Sequence, residues 1–249
     1  MAGVQFAFSP LLAELTEISN FAYKFVRHDR AASILDSRQL LQDIQDGGTV
    51  GQEYEWVLPP NEAIGTIPVE GVFQPDSGRV GNVWATLSFD WLITPREQDP
   101  NGGKTLFEIT GGASTLIRIL TDADGGETQL AMWRMEIDTD QGPGATFHIR
   151  VMGENADGQF PNSLAVPRLP IFPTTPASAL EFVIAELFQE TWSQHLALRS
   201  QQLHRWREIQ SSRLRSYYDW RLSILRESHG SPITNLKSNF PRPDQFLYL

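Results

Sequence analysis

The chain has 249 residues, of which 41% are hydrophobic, and its 14 Phe, 7 Trp and 5 Tyr supply enough apolar surface to form a core. It contains no cysteine, which excludes disulfide bonds, zinc–thiolate sites, iron–sulfur clusters and thiol nucleophiles. Its net charge of −10 is divided unevenly, because residues 1–198 carry −15 and residues 199–249 carry +5. The sequence therefore predicts a folded acidic body followed by a basic C-terminal region.

Targeting and membrane signals are absent from the sequence pattern. The N-terminal residues lack the basic stretch and the continuous apolar segment of a secretory signal. No run approaches the roughly 20 apolar residues that a membrane-spanning helix needs. We therefore predict a cytoplasmic protein with no membrane partner.

Two amphipathic helices are predicted before residue 49. Ser9 and Pro10 have the residue types of a helix start. A second, weaker helix is predicted over 31–46, and the Gly47-Gly48 pair ends it. Residues 1–48 are thus expected to form a helical lead-in. The apolar residues of the first helix recur at spacings of three and four, and they are Leu11, Leu15, Ile18, Ala22 and Phe25.

Residues 49–160 are predicted to form an antiparallel β domain, because the apolar period changes from about 3.6 to 2 and turn residues divide the chain into short segments. The clearest strand is 83–93, where every second residue from Val83 to Ile93 is apolar. The short connections leave no room for helical crossovers, so the predicted fold is α+β, with an antiparallel sandwich or partly open barrel of about seven strands. Weaker strands are predicted at 53–58, 66–73, 105–110, 115–120, 128–138 and 146–152.

The C-terminal third is predicted to be an extended connector followed by a long helix. Residues 161–176 contain five prolines, which exclude a helix interior. A long amphipathic helical region is predicted over 177–229, beginning at Thr175-Pro176 or at Ser178, and an extended tail over 230–249. A helix unbroken from 176 to 228 would measure roughly 80 Å. This exceeds what one sheet needs as a cover, so part of the helix is expected to fold back or to meet another chain.

Catalytic motifs are missing from the chain. It has no Gly-Xaa-Ser-Xaa-Gly elbow and no phosphate-binding loop, and Gly111-Gly112 is interpreted as a turn between two strands. The histidines lack metal-ligand spacing. Glu136, Asp138 and Asp140 share one face of a predicted strand and are candidates to bind a cation or to act in acid–base chemistry, although a solvated face is the commoner interpretation. The sequence therefore favours a non-enzymatic role and predicts no cofactor.

The C-terminal region combines arginine with aromatic residues, and it has seven arginines and no lysine between residues 199 and 226. Arginine binds phosphate and stacks on bases, as aromatic rings do, so this composition suits RNA or single-stranded DNA. Alternatively, the arginines flank an oligomeric helical seam and pair with Glu208, Asp219 and Glu227 or with the acidic body. The candidate nucleic-acid or partner-binding residues are Arg199, Arg205, Trp206, Arg207, Arg213, Arg215, Tyr217, Trp220 and Arg221.

Three functional hypotheses follow from these patterns. The leading one is a non-catalytic interaction or assembly protein, in which the basic, aromatic C-terminal helix mediates homo-oligomerisation or docking to a protein partner. The first alternative is binding of RNA or single-stranded DNA by the same helix. The second alternative is a small-molecule-binding β-barrel whose mouth is lined by Trp84, Trp91 and Trp133.

Overall fold

The computed structural model describes residues 4–70, 82–96, 106–122, 126–138, 146–153, 169–198, 203–227 and 231. Helices precede and follow an antiparallel sheet within these ranges, which confirms the predicted α+β class. The helices are α1 (Phe8–Ala22), α2 (Ala32–Gly47), α3 (Pro176–Ala197) and α4 (Leu203–Glu227). The strands are β1 (Val4–Ala7), β2 (Tyr54–Leu58), β3 (Ile64–Gly65), β4 (Val69–Glu70), β5 (Asn82–Pro95), β6 (Leu106–Thr121), β7 (Thr128–Ile137), β8 (Phe147–Gly153) and β9 (Leu169–Pro170).

The strands form one antiparallel sheet with the order β2-β5-β6-β7-β8-β9. The neighbours in this order pair antiparallel, as predicted. β1 adds to β6, while the short strands β3 and β4 add to β5. The sheet is open and does not close on itself, so it has two faces with different surroundings.

One face of the sheet is covered by the helices. The indole of Trp56 donates a 2.8 Å hydrogen bond to the carbonyl oxygen of Ser37 on α2. The Trp133 ring lies 5.7 Å from the Phe182 ring on α3. The side chains of β5 alternate between the two faces of the sheet, and every odd-numbered residue from Val83 to Ile93 is buried. The even positions point to the opposite face, which we call the outer face of the sheet.

The core is centred on aromatic side chains from four strands. The Trp56 and Trp91 rings of β2 and β5 lie 5.3 Å apart at 82°, in an edge-to-face arrangement. Phe6 of β1 lies 5.6 Å from Trp91 and 5.7 Å from Phe107 of β6. These four residues are at most 1% exposed. The N-terminal strand, which the sequence pattern does not predict, is therefore part of the central core.

The predicted turn at Gly111-Gly112 is wrong, because both glycines lie within the continuous strand β6. Ile93 pairs with Ile109 and Trp91 pairs with Ala113, so two extra residues of β6 bulge out against β5. Gly112 has φ +90°, a backbone conformation that residues with a Cβ rarely adopt. The glycine pair thus bends one long strand, whereas the sequence predicts two strands at 105–110 and 115–120.

The starts of two helices differ in how well the sequence predicts them. α3 begins at Pro176, one of the two predicted starts, and Thr175 and Ser178 form a reciprocal capping box. α1 begins at Phe8, before the predicted start, and its N-cap residue Ala7 provides no side-chain hydrogen bond. Residues 199–202 lie outside the described ranges, so α3 and α4 are described separately.

We expect Gly112→Ala to destabilise the protein by about 1–2 kcal/mol, because alanine at this positive φ is strained. The nearest atom to an added Cβ would be the carbonyl oxygen of Ile137 at 3.5 Å, which is an ordinary contact, so the strain comes from the backbone. Urea unfolding would measure the change. Gly126→Ala is the matched control, because nothing lies within 4 Å of its added Cβ. Equal effects of the two substitutions would contradict the assignment of strain to Gly112.

Candidate functional site

The structure places the predicted site residues on both sides of α4. Arg199 lies outside the described residues. Arg205, Arg207 and Arg215 are exposed. The side of α4 that faces the body carries the other predicted residues, all of them buried, and they are Trp206, Arg213, Tyr217, Trp220 and Arg221.

Arg213 forms a buried ion pair with Glu14 of α1. Its Nη1 atom lies 2.5 Å from Glu14 Oε1, and the two side chains are 1% and 0% exposed. Glu14 also accepts hydrogen bonds from Gln210 Nε2 at 2.6 Å and from Thr175 Oγ1 at 2.8 Å. One carboxylate therefore joins α1, the N-terminus of α3 and α4.

Glu181 of α3, which is partly buried, forms a second polar contact with α4. Its carboxylate accepts a 3.1 Å hydrogen bond from Trp206 Nε1. Burial raises the pKa of Glu181 to about 7; the hydrogen bond from Trp206 lowers this pKa, and the negative charge of Glu14 raises it further. Glu181 therefore changes its protonation state near neutral pH, at the contact between α3 and α4.

The aromatic residues of α4 hold the helix against the chain before α3. Tyr217 donates a 2.9 Å hydrogen bond to the carbonyl oxygen of Ile171, and its ring lies 5.9 Å from Phe147 of β8. The guanidinium of Arg221 stacks over Trp220, 4.5 Å from the ring centroid. These groups are used for packing within the chain, so they present no free stacking surface.

The predicted pairing of arginines with the acidic body is confirmed for two residues. Arg213 pairs with Glu14, and Arg205 lies 3.8 Å from Glu17 of the same helix α1.

The functional importance of Glu14 was not predicted, although the sequence contains a signal for it. Glu14 stands among the apolar inner positions of α1, between Leu11 and Ile18, where a carboxylate needs a partner.

The side of α4 that faces solvent carries a second apolar stripe, which we call the outward patch. Tyr218, Leu222 and Leu225 are 55%, 47% and 37% exposed and recur at spacings of four and three. The exposed arginines Arg215 and Arg226 stand near the two ends of this stripe. The stripe was not predicted from the sequence, because the buried aromatic residues Trp206, Tyr217 and Trp220 form a stronger pattern on the same helix.

The outer face of the sheet contains an open groove with a volume of about 510 Å³. Cross-strand pairing aligns Asp90, Ser114, Glu136 and His148 in one row over β5, β6, β7 and β8. The bulged segment of β6 lies in its floor. We call this the acidic groove, and its charged or titratable lining residues are Glu55, Asp90, Glu136, Asp138, His148 and Arg150.

Glu136 is held in place by two neighbours on β8. Its Oε2 atom lies 3.0 Å from His148 Nε2 and 2.7 Å from Arg150 Nε. Burial alone would raise the pKa of Glu136, but the hydrogen bond to His148 and the positive charges nearby outweigh it and hold this pKa below its usual value. Glu136 is therefore a charged, positioned carboxylate.

The predicted cation site gains no support from this geometry. Asp140 lies outside the described residues. In the described part of the chain, no three histidine, aspartate or glutamate side chains are grouped closely enough to hold a metal ion. Glu136 and Asp138 do share the acidic groove, as their common strand face predicts.

The predicted barrel mouth is wrong, because the sheet is open and the three tryptophans do not converge. Trp91 is 1% exposed and packs in the aromatic core. Trp133 contacts Phe182 on the helix-covered side. Trp84 occupies an even position of β5 and points to the outer face.

None of the described helices is long and apolar enough to cross a membrane. Comparisons with protein-family models, with curated proteins and with solved structures find no match to this chain.

We expect Arg213→Ala to destabilise the protein by about 3–5 kcal/mol, because it leaves the Glu14 carboxylate buried without its cation. Urea unfolding followed by circular dichroism would measure the loss. The control is Ser212→Ala, one residue away on the exposed side of α4, which should change stability by at most about 0.5 kcal/mol. Similar losses for the two variants would refute the role of the buried ion pair.

We expect stability to fall as pH rises from about 4.5, the ordinary pKa of Glu181, to about 7, its value in the folded protein. The unfolded chain loses this proton near pH 4.5, whereas the folded protein keeps it until about pH 7. The difference between these two pKa values sets an upper limit of about 3 kcal/mol on the decrease in the free energy of unfolding.

Glu181→Gln should remove this part of the pH dependence and leave the variant more stable than the native chain at pH 8. Glutamine can still accept the hydrogen bond from Trp206. Urea unfolding at pH 5 and pH 8 would measure the difference. Glu186→Gln, an exposed substitution on the same helix, should leave the pH dependence unchanged. An unaltered pH profile in Glu181→Gln would contradict the assignment.

Proposed function

We propose that the protein is a non-catalytic assembly protein that self-associates through the outward patch of α4. The observation that carries this proposal is the exposure of Tyr218, Leu222 and Leu225 on a helix whose other side is already buried. A helix with one apolar side buried in its own domain normally presents polar residues to solvent. A second apolar stripe favours a contact with another molecule.

The charges around the outward patch support an interface. Arginine is enriched at protein interfaces, because its guanidinium pairs with carboxylates and also packs against apolar groups. Arg215 and Arg226 lie near the ends of the stripe, and Arg205 and Arg207 are exposed earlier on α4. The acidic body of a second copy offers matching charge, since residues 1–198 carry a net charge of −15.

Self-association is preferred here over docking to a different protein, because the chain itself supplies both the apolar stripe and the opposite charges. The proposal concerns a homo-oligomer that acts in the cytoplasm, without a cofactor and without a membrane partner. Binding of RNA or single-stranded DNA is less favoured. Stacking on bases needs exposed rings, and of the four tryptophan and tyrosine rings of α4 only Tyr218 is exposed, since Trp206, Tyr217 and Trp220 are buried.

Removal of the whole C-terminal region is a poor test of assembly. A chain ending near residue 198 would lose Arg213, the cation that pairs with Glu14, and it would uncover the core beneath Trp206. Such a chain is expected to lose stability before any interface is tested. Point substitutions on the exposed side of α4 avoid this problem.

We expect the native chain to form oligomers at micromolar concentration and Leu222→Glu with Leu225→Glu to shift it towards monomer, because the substitutions place charges in the apolar stripe. Glutamate has a helix propensity close to that of leucine, so α4 should remain folded. Size-exclusion chromatography with light scattering would measure the molecular mass.

The matched control is Leu35→Glu with Leu40→Glu on α2. These leucines are 51% and 38% exposed, close to the 47% and 37% of Leu222 and Leu225. The control variant should keep the mass of the native oligomer. A native chain that stays monomeric at all concentrations, or a control that dissociates equally, would overturn the proposal.

A further inference from the structure

The acidic groove has more negative charge than its own residues neutralise. Among its described lining residues, four are carboxylates and one is an arginine, which leaves a formal charge of −3 with His148 counted as neutral. Arg150 is already bound to Glu136. Glu55 and Asp90 are exposed, and no described hydrogen bond or ion pair occupies either carboxylate. These two carboxylates are available to a cation from outside the domain.

The groove is a depression shaped by the strand register and by the bulge in β6, and not only a charged surface. The sheet register places Glu55 diagonally from Asp90 on the neighbouring strand, since Val57 is opposite Asp90 and Glu55 is opposite Leu92. Diagonal neighbours lie roughly 7–8 Å apart, so one long side chain of a partner can reach both carboxylates. The bulge at Gly111-Gly112 removes side chains from the floor, and the resulting volume of about 510 Å³ can admit long side chains of a partner.

We propose that the acidic groove of one copy binds Arg215 and Arg226, which flank the outward patch of α4, from a second copy. This inference rests on the proposed function, because it names the surface that the outward patch contacts. The occupant follows from charge complementarity within the chain. Glu55 and Asp90 face solvent on the body, and Arg215 and Arg226 face solvent on α4. A guanidinium suits this site, because it can bind carboxylates in a bidentate manner.

The two surfaces cannot meet within one copy. The groove lies on the outer face of the sheet, where Asp90, Glu136 and His148 are aligned. α4 packs on the opposite side, since Tyr217 contacts Phe147, the neighbour of His148 that points to the helix-covered face. The contact is therefore between copies.

The resulting contact is head-to-tail, because different surfaces of the two copies meet. After a single contact forms, one copy keeps a free α4 and the other keeps a free groove. A head-to-tail contact produces a ring if its rotation closes and a filament if it does not. This property separates the inference from a symmetric pairing of two α4 helices, in which the groove has no part.

The first experiment reverses charge on each surface separately. Glu55→Lys with Asp90→Lys, and Arg215→Glu with Arg226→Glu, should each weaken self-association by about tenfold or more at low salt. Sedimentation equilibrium would measure the association constants, and circular dichroism would check folding. The matched control for the groove is Asp122→Lys with Glu127→Lys, two exposed acids away from the groove, which should leave association nearly unchanged.

The second experiment restores the contact. The chain that carries all four substitutions has exchanged charges and should regain most of the native association. An equimolar mixture of the groove variant and the α4 variant has two matching pairs of surfaces, because the lysine-bearing groove meets the glutamate-bearing α4 and the native groove meets the native α4. The mixture should therefore assemble with the two variants alternating, whereas each variant alone should stay dissociated. The combined variant also shows that the single losses do not arise from misfolding.

The outcomes separate this inference from the proposed function. If Leu222→Glu with Leu225→Glu abolishes association while Glu55→Lys with Asp90→Lys leaves it intact, the groove inference is overturned and assembly through α4 stands. If the native chain does not associate, both fail. If the four substitutions together do not restore the association lost with each pair, the direct pairing of these charges is overturned.

Discussion

The buried pairing of Glu14 with Arg213 is the interaction on which the arrangement of the helices depends. It joins the first helix to the last, and Gln210 and Thr175 complete the set of groups around the same carboxylate. A buried ion pair adds little net stability compared with apolar packing, but either partner alone is costly. The contact therefore fixes where α4 docks, and the docked helix has one side buried in the core and one side exposed to solvent.

Much of the fold could be predicted from local pattern. The strong period of 83–93 and the Thr175-Pro176 helix start identify elements that the structure confirms, because these signals reflect local backbone chemistry. The glycine pair of β6 was misinterpreted, since a bulge and a turn use the same residue. β1 is four residues long, too short for a periodic signal, and its place beside β6 is set by tertiary packing of Phe6.

The candidate site was predicted less well, because amphipathic patterns do not say which side a helix buries. Trp206 and Tyr217 have the chemistry of a binding surface, yet they pack within the chain. The acidic groove could not be found from sequence, since the alignment of Asp90 with Glu136 depends on the register of three strands. The opposition of charge between the acidic body and the basic C-terminal region, by contrast, is evident from composition alone.

The insertion in β6 has a consequence for how the protein tolerates changes in length. Ile109 and Ala113 both point towards the helices, because the strand contains an even number of extra residues between its two paired segments. An even surplus keeps the alternation of sides in phase along the whole strand. The segment can therefore change in length by two residues while both faces of the sheet keep their own side chains.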